Sequence, residues 1–331
     1  MTNKVIIILG PTGVGKSTAS ILLAKAINTE IISADSMQIY RHMDIGTAKP
    51  TKEERISIKH HMIDIVDPWE VYSTGKYIEA VIPIIEELHR KRRIPIVVGG
   101  TGLYIKAMTE GIFSGPSADW TLRENLSSTE KQEKGSLYSF LRDLDPEAAE
   151  RIIPTDIRRV IRALEVCLKS DSSITEMQRK MTKPLPYEFI KIGLYRDRKE
   201  LYRIIEKRVD KMFDVGLINE VKTVIDLIKD AEMRRCGDAE KNRTLDSPTH
   251  RFADLPLLSM QAIGYKEIAL YLEGKIILEE AIGLIKKGSK RYAKRQFTWF
   301  KKEEGIQWLD ITGIHDSGMI FNLVSDVLSH I

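Results

Sequence analysis

Cysteine is almost absent from this chain of 331 residues, which contains only Cys167 and Cys236. The two cysteines are far apart in the sequence, so they form neither a disulfide framework nor the closely spaced ligand pairs of a zinc site. Long apolar runs are also absent, because no stretch approaches the roughly 20 residues that a membrane-spanning helix needs. The first apolar strand begins directly after residues 1–4, which leaves no room for a signal peptide. We therefore expect a cytoplasmic protein without a membrane span.

The chain also lacks a large overall charge, but its charges are unevenly distributed. The formal net charge is +4, whereas residues 286–302 alone hold eight Lys and Arg and no acidic residue. The rest of the chain is therefore slightly acidic, and one concentrated basic segment predicts a polyanionic partner. The composition of the whole chain, 43% hydrophobic and 30% charged, is typical of a globular protein. Its length predicts about two domains.

A phosphate-binding loop follows the first predicted strand. Residues 5–9 are apolar and mostly β-branched, and the next residues match the pattern G-x4-G-K-[ST] before a predicted helix. In this motif the glycines turn backbone N–H groups toward phosphate oxygens, the lysine reaches a terminal phosphate, and the following hydroxyl binds Mg²⁺. Ser17 is therefore the predicted Mg²⁺ ligand. The residues predicted to bind a polyphosphate are Gly10, Thr12, Gly13, Val14, Gly15, Lys16, Ser17 and Thr18.

Alternating strands and helices predict an α/β fold, with a parallel sheet like that of phosphate-loop NTPases and helices on both faces. No strand pattern occurs between residue 200 and the apolar stretch at 306–309, so we expect an all-helical insertion at 200–285. Within the insertion, 231–256 reads as a polar linker. The α/β core is then predicted to comprise residues 1–199 and 286–331.

Two polar side chains follow predicted strands. Asp35 comes after the strand at 31–32, at the edge where open α/β sheets bind ligands. It either caps a following helix or presents a carboxylate to a substrate. The strand at 94–98 ends in two glycines and Thr101 instead of the Mg²⁺-binding aspartate of proteins that hydrolyse nucleoside triphosphates. This argues against simple triphosphate hydrolysis, although a tight glycine turn is the alternative explanation.

Other side chains have a structural and a functional interpretation. His60 and His61 lack a third ligand nearby, which favours a structural role over a metal site. The arginines of the predicted helix at 157–166 are either solvated or bind phosphate. Residues 114–136 are poor in apolar side chains and are expected to form a mobile excursion over the site. In the basic segment the aromatic side chains are expected in the core and the cations on RNA phosphates.

Taken together, these motifs resemble those of the tRNA dimethylallyltransferases, also called tRNA isopentenyltransferases. The phosphate loop alone is shared by many families, whereas the further blocks in this order are specific. The resemblance extends over nearly the whole chain, and the matching blocks are residues 10–17, 33–40, 43–50, 60–64, 98–104, 162–166, 261–265 and 293–296.

The resemblance implies transfer of a dimethylallyl group from its diphosphate to N6 of the adenosine on the 3′ side of the anticodon, with the phosphate loop and Mg²⁺ holding the diphosphate. Asp35 matches the general base and Thr101 a residue beside the reacting centre. The insertion at 200–285 would embrace the anticodon stem-loop. The implied tRNA-binding residues are Asp35, Ser36, Met37, Gln38, Thr101, Arg123, Arg158, Arg159, Arg162, Gln261, Gly264, Tyr265, Lys290, Arg291, Lys294 and Arg295.

The chain departs from the family at Ser289 and Lys290, where Thr-Arg is frequent. The lysine would contact phosphate as a point charge, whereas an arginine would form a bidentate contact. It lacks the cysteines of the zinc finger that eukaryotic members carry, and so resembles the shorter bacterial form. We expect a monomer. Two enzymatic alternatives share the phosphate loop: an isopentenyltransferase for free adenine nucleotides and a small-molecule kinase. A non-enzymatic RNA-binding module would leave the loop and Asp35 unexplained.

Overall fold

The structure, a computed structural model, describes residues 3–113, 115–170, 172–239 and 257–329. It divides into a larger unit, Met1–Ile105 with Pro186–Ile331, and a smaller unit, Lys106–Leu185. The strands are β1 (Lys4–Leu9), β2 (Ile31–Ala34), β3 (His60–His61), β4 (Ile96–Gly99), β5 (Glu188–Tyr195) and β6 (Ile306–Asp310). The helices are α1 (Lys16–Ala26), α2 (Lys52–Ser57), α3 (Thr74–Arg90), α4 (Gly102–Thr109), α5 (Trp120–Gln132), α6 (Ser136–Leu144), α7 (Pro146–Arg151), α8 (Ile157–Lys169), α9 (Ile174–Met181), α10 (Arg198–Asp214), α11 (Leu217–Ala239), α12 (Tyr265–Leu272), α13 (Leu278–Phe300) and α14 (Ser317–Ser329).

The larger unit is built on one parallel sheet with the strand order β3-β2-β4-β1-β5-β6. The central strand β1 is buried at Val5–Leu9 because it lies between β4 and β5 and is covered on both faces. Since all six strands run in one direction, the carboxyl ends of β1, β2 and β4 lie at the same edge. The predicted phosphate-loop NTPase-like fold is therefore confirmed.

Two apolar clusters hold the larger unit together. One joins the sheet to α1, α10 and α14, and contains Ile8, Leu23 and Val324. The other joins α10 to α13 with the segment after β2, where Tyr40 and Met43 are buried. Burial at about 25 cal/mol per Å² of apolar area makes such clusters the main stabilising contribution. The second cluster fixes the 200–285 helices against the loops that follow β2.

The compact units divide the chain elsewhere than the predicted domains do. Helices α10–α13 belong to the same compact unit as the sheet, and the smaller unit begins and ends at 106 and 185 instead of 200 and 285. That residues 200–285 surround the anticodon stem-loop stays a prediction. Of the expected linker at 231–256, the first part continues α11 to Ala239, and residues 240–256 lie outside the described part of the chain.

The segment 114–136, expected to form a mobile excursion, contains a helix. Helix α5 lies within 114–136. Its N-cap is Asp119, whose carboxylate accepts a hydrogen bond from the Leu122 N–H at 3.0 Å. Helix α2 begins at Thr51 with a reciprocal cap to Glu54. Both helices contain few apolar residues, so only their capping side chains signalled them in the sequence. Across the described ranges, no helix is long and apolar enough to cross a membrane.

Candidate active site

The phosphate loop connects β1 to α1 as the motif predicts. Gly10, Gly13 and Gly15 all have positive φ, at 143°, 81° and 112°, which other residues rarely adopt. A Cβ at Gly10 would also overlap the backbone carbonyl of Leu194 on β5. The loop therefore lies at the carboxyl end of the sheet, where the first turn of α1 presents free N–H groups and the positive end of the helix dipole.

Lys16 lies inside this loop. Its ammonium donates hydrogen bonds to the carbonyl oxygens of Gly10 and Pro11, both at 2.9 Å. Burial lowers the pKa of Lys16 to about 8, with Asp35 acting to raise it and Arg208 to lower it. An incoming anion would compensate the buried charge, so the loop is electrostatically suited to a phosphate group.

Arg208 is a site residue that sequence reasoning missed. It extends from α10 and donates a hydrogen bond to the Thr12 hydroxyl at 2.8 Å. Its buried Nε has no hydrogen-bond partner among the described residues. Burial lowers the pKa of Arg208, while Asp35 raises it. Arg208 therefore adds a second cation, with an unused donor, to the space above the phosphate loop; a lone arginine in an amphipathic helix gave no signal for this role.

The turn after β2 presents Asp35 at the same edge. Its Oδ1 accepts hydrogen bonds from the backbone N–H groups of Met37, at 2.9 Å, and Gln38, at 3.4 Å. These bonds close a turn at residues 36–39, so Asp35 does not cap a helix; the next helix is α2. No donor in the described part of the chain is bonded to Oδ2, which keeps the carboxylate able to accept a proton.

Thr101 is joined directly to the Asp35 turn. Its backbone N–H donates to Ala34 O at 3.1 Å, and its Oγ1 accepts from Ser36 N–H at 2.9 Å. Gly99 is required here because a Cβ would overlap the Ala34 carbonyl. The structure therefore brings Thr101 next to Asp35 and Ser36, although Thr101 lies more than 60 positions further along the sequence.

A cavity of about 290 Å³ is lined by Thr12 of the phosphate loop, by the Asp35 turn and by Arg208. Its charged and polar lining includes Thr12, Asp35, Arg208, Tyr292 and Arg295. Its apolar lining includes Met37, Met212, Leu217, Ile263 and Ile285. A cavity with convergent polar groups at one end and an apolar wall suits a ligand with a charged head and a small hydrocarbon tail.

The predicted contacts in 261–265 differ in accessibility. Gln261 and Gly264 line the cavity. Tyr265, in contrast, is fully buried, and its hydroxyl donates to Glu220 at 2.5 Å. Burial and the nearby Glu220 carboxylate raise the pKa of Tyr265. Glu220 also accepts from three successive backbone N–H groups, including Gly46 at 2.9 Å, so this cluster shapes the cavity wall.

The basic half of α13 has an exposed face, and Arg291, Lys294 and Arg295 are all exposed. Lys290 is tied to Glu206 at 2.6 Å, and the Arg295 guanidinium lies 5.6 Å from the Tyr292 ring centroid. The expectation that the aromatic side chains are core residues is correct for Phe300, which is fully buried. Trp299 instead keeps 37% of its surface exposed.

In the smaller unit, Arg123 and Arg162 converge on Glu165. Arg123 forms two hydrogen bonds to that carboxylate, at 2.9 and 2.7 Å, and Arg162 forms a third. Burial opposes the charged form, but these arginines and the Asp119 N–H lower the pKa of Glu165 to about 2. Arg158 and Arg159 are exposed. Contacts of these four arginines with RNA stay predictions.

The structural interpretation of the histidine pair agrees with the geometry. His61 Nε2 lies 2.7 Å from a Glu30 carboxylate oxygen at the start of β2. Among the described residues no cluster of His, Cys, Asp and Glu could hold a metal ion. Ser17 stands exposed in the first turn of α1, and its hard hydroxyl oxygen fits Mg²⁺ if a ligand supplies the remaining oxygens.

Known proteins resemble this chain over nearly its full length. A sequence model of the family described as IPP transferase matches residues 38–303. The tRNA dimethylallyltransferase of Thermodesulfovibrio yellowstonii is 55% identical over 331 residues, which cover 100% of this chain and 99% of the relative. The solved tRNA isopentenylpyrophosphate transferase of Bacillus halodurans has a TM-score of 0.67 and 38% identity, over 99% of this chain and 96% of that one. A solved eukaryotic dimethylallyltransferase acting on tRNA has a TM-score of 0.80 and 30% identity, over 99% of this chain and 80% of that one.

Proposed function

The chain belongs to the IPP transferase family, and we propose that it transfers a dimethylallyl group to N6 of the adenosine on the 3′ side of the tRNA anticodon. tRNA prenylation is its activity, and dimethylallyl diphosphate is the proposed donor. The observation that carries the proposal is the shared cavity of the phosphate loop and Asp35. A leaving diphosphate and a proton acceptor are needed within one reacting complex, and this cavity offers a place for each.

The diphosphate is proposed to occupy the phosphate loop. Lys16 and the loop amides would hold its oxygens, and Arg208, which is bonded to Thr12 and lines the cavity, would add a second cation. Bound Mg²⁺, held by Ser17 and the diphosphate oxygens, would further neutralise the negative charge that grows on the leaving group. These cations act on charge that develops as the bond breaks, so they stabilise the transition state more than the bound donor.

The proposed transfer is a substitution at the first carbon of the dimethylallyl group. The N6 nitrogen forms a bond to this carbon as the bond from carbon to diphosphate oxygen breaks, and the diphosphate leaves with that electron pair. The N6 proton passes to the Asp35 carboxylate. Thr101 would line the channel where the two substrates meet, since it is hydrogen-bonded to the Asp35 turn.

The apolar part of the cavity suits the hydrocarbon tail. Met212, Leu217 and Ile285 belong to helices α10, α11 and α13, and all three are buried. Five carbons of a dimethylallyl group would remove a modest apolar area from water there, at about 25 cal/mol per Å². Water excluded from this wall cannot compete with N6 for the allylic carbon.

The acceptor adenosine is proposed to leave its stack to reach the cavity, at an unstacking cost of a few kcal/mol. The exposed cations of α13 would hold the RNA backbone next to the cavity, since Arg295 lines the cavity and the exposed Lys294 is its neighbour in the sequence. We propose that the enzyme works as a cytoplasmic monomer. The alternatives, a free-nucleotide prenyltransferase and a small-molecule kinase, are not favoured by the family to which the chain belongs.

An acceptor competition tests the proposal. The enzyme is supplied with dimethylallyl diphosphate and Mg²⁺ together with either unmodified tRNA or AMP, and the products are digested and identified by mass spectrometry. N6-alkylated adenosine is expected from tRNA alone and at one position. Alkylated AMP would favour the free-nucleotide enzyme, and phosphate transfer from ATP would favour the kinase.

A further inference from the structure

Gln296 connects two loops that reach the cavity from different strands. Its Oε1 accepts a hydrogen bond from the Thr12 N–H at 2.8 Å, and its Nε2 donates one to the Gly100 carbonyl at 2.8 Å. Thr12 belongs to the phosphate loop after β1, and Gly100 immediately precedes Thr101 after β4. The side chain is only 5% exposed. A single buried amide on α13 therefore holds both loops.

The sequence of both loops is matched to this amide. A Cβ at position 100 would overlap Gln296 Nε2, so only glycine allows the side chain to approach the turn. The Thr12 N–H belongs to the phosphate loop, but its hydrogen bond goes to Gln296. Gly100 and Gln296 thus fix the geometry of the two loops, and the amides in the first turn of α1 remain for the diphosphate.

Tyr292 extends the connection to the acceptor side. It lies one helical turn before Gln296 on α13 and lines the cavity together with Asp35 and Arg295. Thr101 in turn accepts from the Ser36 N–H at 2.9 Å, next to Asp35. Gln296 therefore joins the phosphate loop to the turn at Gly100, and the neighbouring Thr101 joins that turn to the one that carries the proposed base.

We propose that Gln296 is a positioning residue that fixes the separation between the donor diphosphate and the Asp35–Thr101 side of the cavity. The inference rests on the proposed function, because only a two-substrate transfer needs that separation. Reacting atoms must approach to about 3–3.5 Å, and a misplacement of about 1 Å can cost on the order of a hundredfold in rate. Gln296 itself lies under the loops and acts through Thr12 and Gly100.

The test replaces Gln296 by methionine, which has similar volume but cannot form either hydrogen bond. The exposed Gln307 on β6, changed to methionine, is the matched control. For Gln296→Met we expect kcat to fall between about tenfold and a hundredfold, while Kd for tRNA and Kd for inorganic diphosphate with Mg²⁺ change less than about threefold. Each half of the site would be intact but wrongly spaced.

A second readout does not depend on catalysis. Amide hydrogen exchange at Thr12 should accelerate in Gln296→Met without any substrate present, because its N–H loses its partner. Tyr292→Phe, which removes one hydroxyl and keeps the ring, should lower kcat by a smaller factor with unchanged tRNA binding. It keeps the proposal testable even if Gln296→Met does not fold.

The outcomes separate the two proposals. If the unaltered enzyme transfers no alkyl group to tRNA, the proposed function fails. If it does, but Gln296→Met and Tyr292→Phe both keep full kcat, the positioning role is wrong. Equal loss of diphosphate and tRNA binding would overturn it as well, because that result shows a general packing role.

Discussion

The guanidinium of Arg208 and the hydroxyl of Thr12 meet at 2.8 Å, across 196 positions of sequence. Helix α10 thereby supplies a cation to a loop that β1 and α1 build. Another donor of this guanidinium, Nε, is buried without a partner in the described residues. A buried, unused charged donor is costly unless a ligand satisfies it, so we infer that Arg208 completes the diphosphate grip.

Replacing Arg208 by alanine should raise KM for dimethylallyl diphosphate by about ten- to a hundredfold, since a hydrogen bond to a charged group is worth about 1.5–3 kcal/mol. The affinity for tRNA should stay unchanged. Arg203→Ala, on the exposed side of the same helix, is the control. Steady-state kinetics with the donor varied would measure this; an unchanged KM would remove Arg208 from the grip.

Asp35→Asn should lower kcat by about 10²- to 10⁴-fold, the usual contribution of a general base, with little change in tRNA affinity. Asparagine keeps an oxygen that can accept from the Met37 N–H, so the turn should survive. Single-turnover alkylation and a filter-binding assay give the two quantities, with the exposed Asp214→Asn as control. Loss of binding with normal turnover would make Asp35 an RNA contact instead of a base.

Diphosphate binding should weaken as the pH rises above about 8, because Lys16 in the free protein loses its proton there. The bound anion restores the charged form, so binding takes up a proton, and Kd rises up to about tenfold per pH unit above the pKa. Titration calorimetry of inorganic diphosphate in buffers of different ionisation enthalpy measures that uptake. Lys16→Arg stays charged and should flatten the profile; a flat profile for Lys16 itself would contradict the prediction.

Glu165→Gln should destabilise the smaller unit by about 3 kcal/mol, because it leaves Arg123 and Arg162 without their buried carboxylate. Glu147→Gln breaks an exposed ion pair with Arg179 and should cost only about 0–0.5 kcal/mol. Hydrogen exchange of α8 amides would report both. Equal effects of the two changes would show that the Glu165 cluster is not structural.

The same carboxylate predicts acid sensitivity. Its pKa is lowered from 4.5 to about 2 in the folded protein, so its stabilising contribution is complete above about pH 4.5 and is lost as the pH falls toward 2. Exchange of the α8 amides should accelerate over that range. Glu165→Gln should remove this part of the pH dependence, and a persistent dependence would assign it to other groups.

Lys294→Ala should weaken tRNA binding and lower the slope of log Kd against log salt concentration by about one. The reason is that one exposed cation would no longer displace a counterion from the RNA. Lys25→Ala, at the opposite end of α1 from the phosphate loop, should leave the slope unchanged. An unchanged slope for Lys294→Ala would place the RNA elsewhere.

Local sequence determined the fold and one part of the site. The phosphate loop could be predicted because strand, glycines, Lys16 and Ser17 are consecutive, and backbone geometry over a dozen residues follows from local rules. The positions of Asp35 and Thr101 followed from strand ends in a parallel sheet. Helix α5 was missed because one capping aspartate, Asp119, carries its signal.

Only the tertiary structure decided which side chains act across the chain. Gln296 lies 284 positions from Thr12, whose N–H donates a hydrogen bond to it. Glu220 lies 174 positions from Gly46, whose N–H donates a hydrogen bond to its carboxylate. Arg123 and Arg162, the implied tRNA contacts, are both bonded to the Glu165 carboxylate, which is fully buried. A sequence pattern reports which face of a helix is apolar; it does not report which distant backbone group will lie within about 3 Å of a polar side chain. That distance depends on how helices pack on the sheet, and the packing decides which charges remain for a substrate.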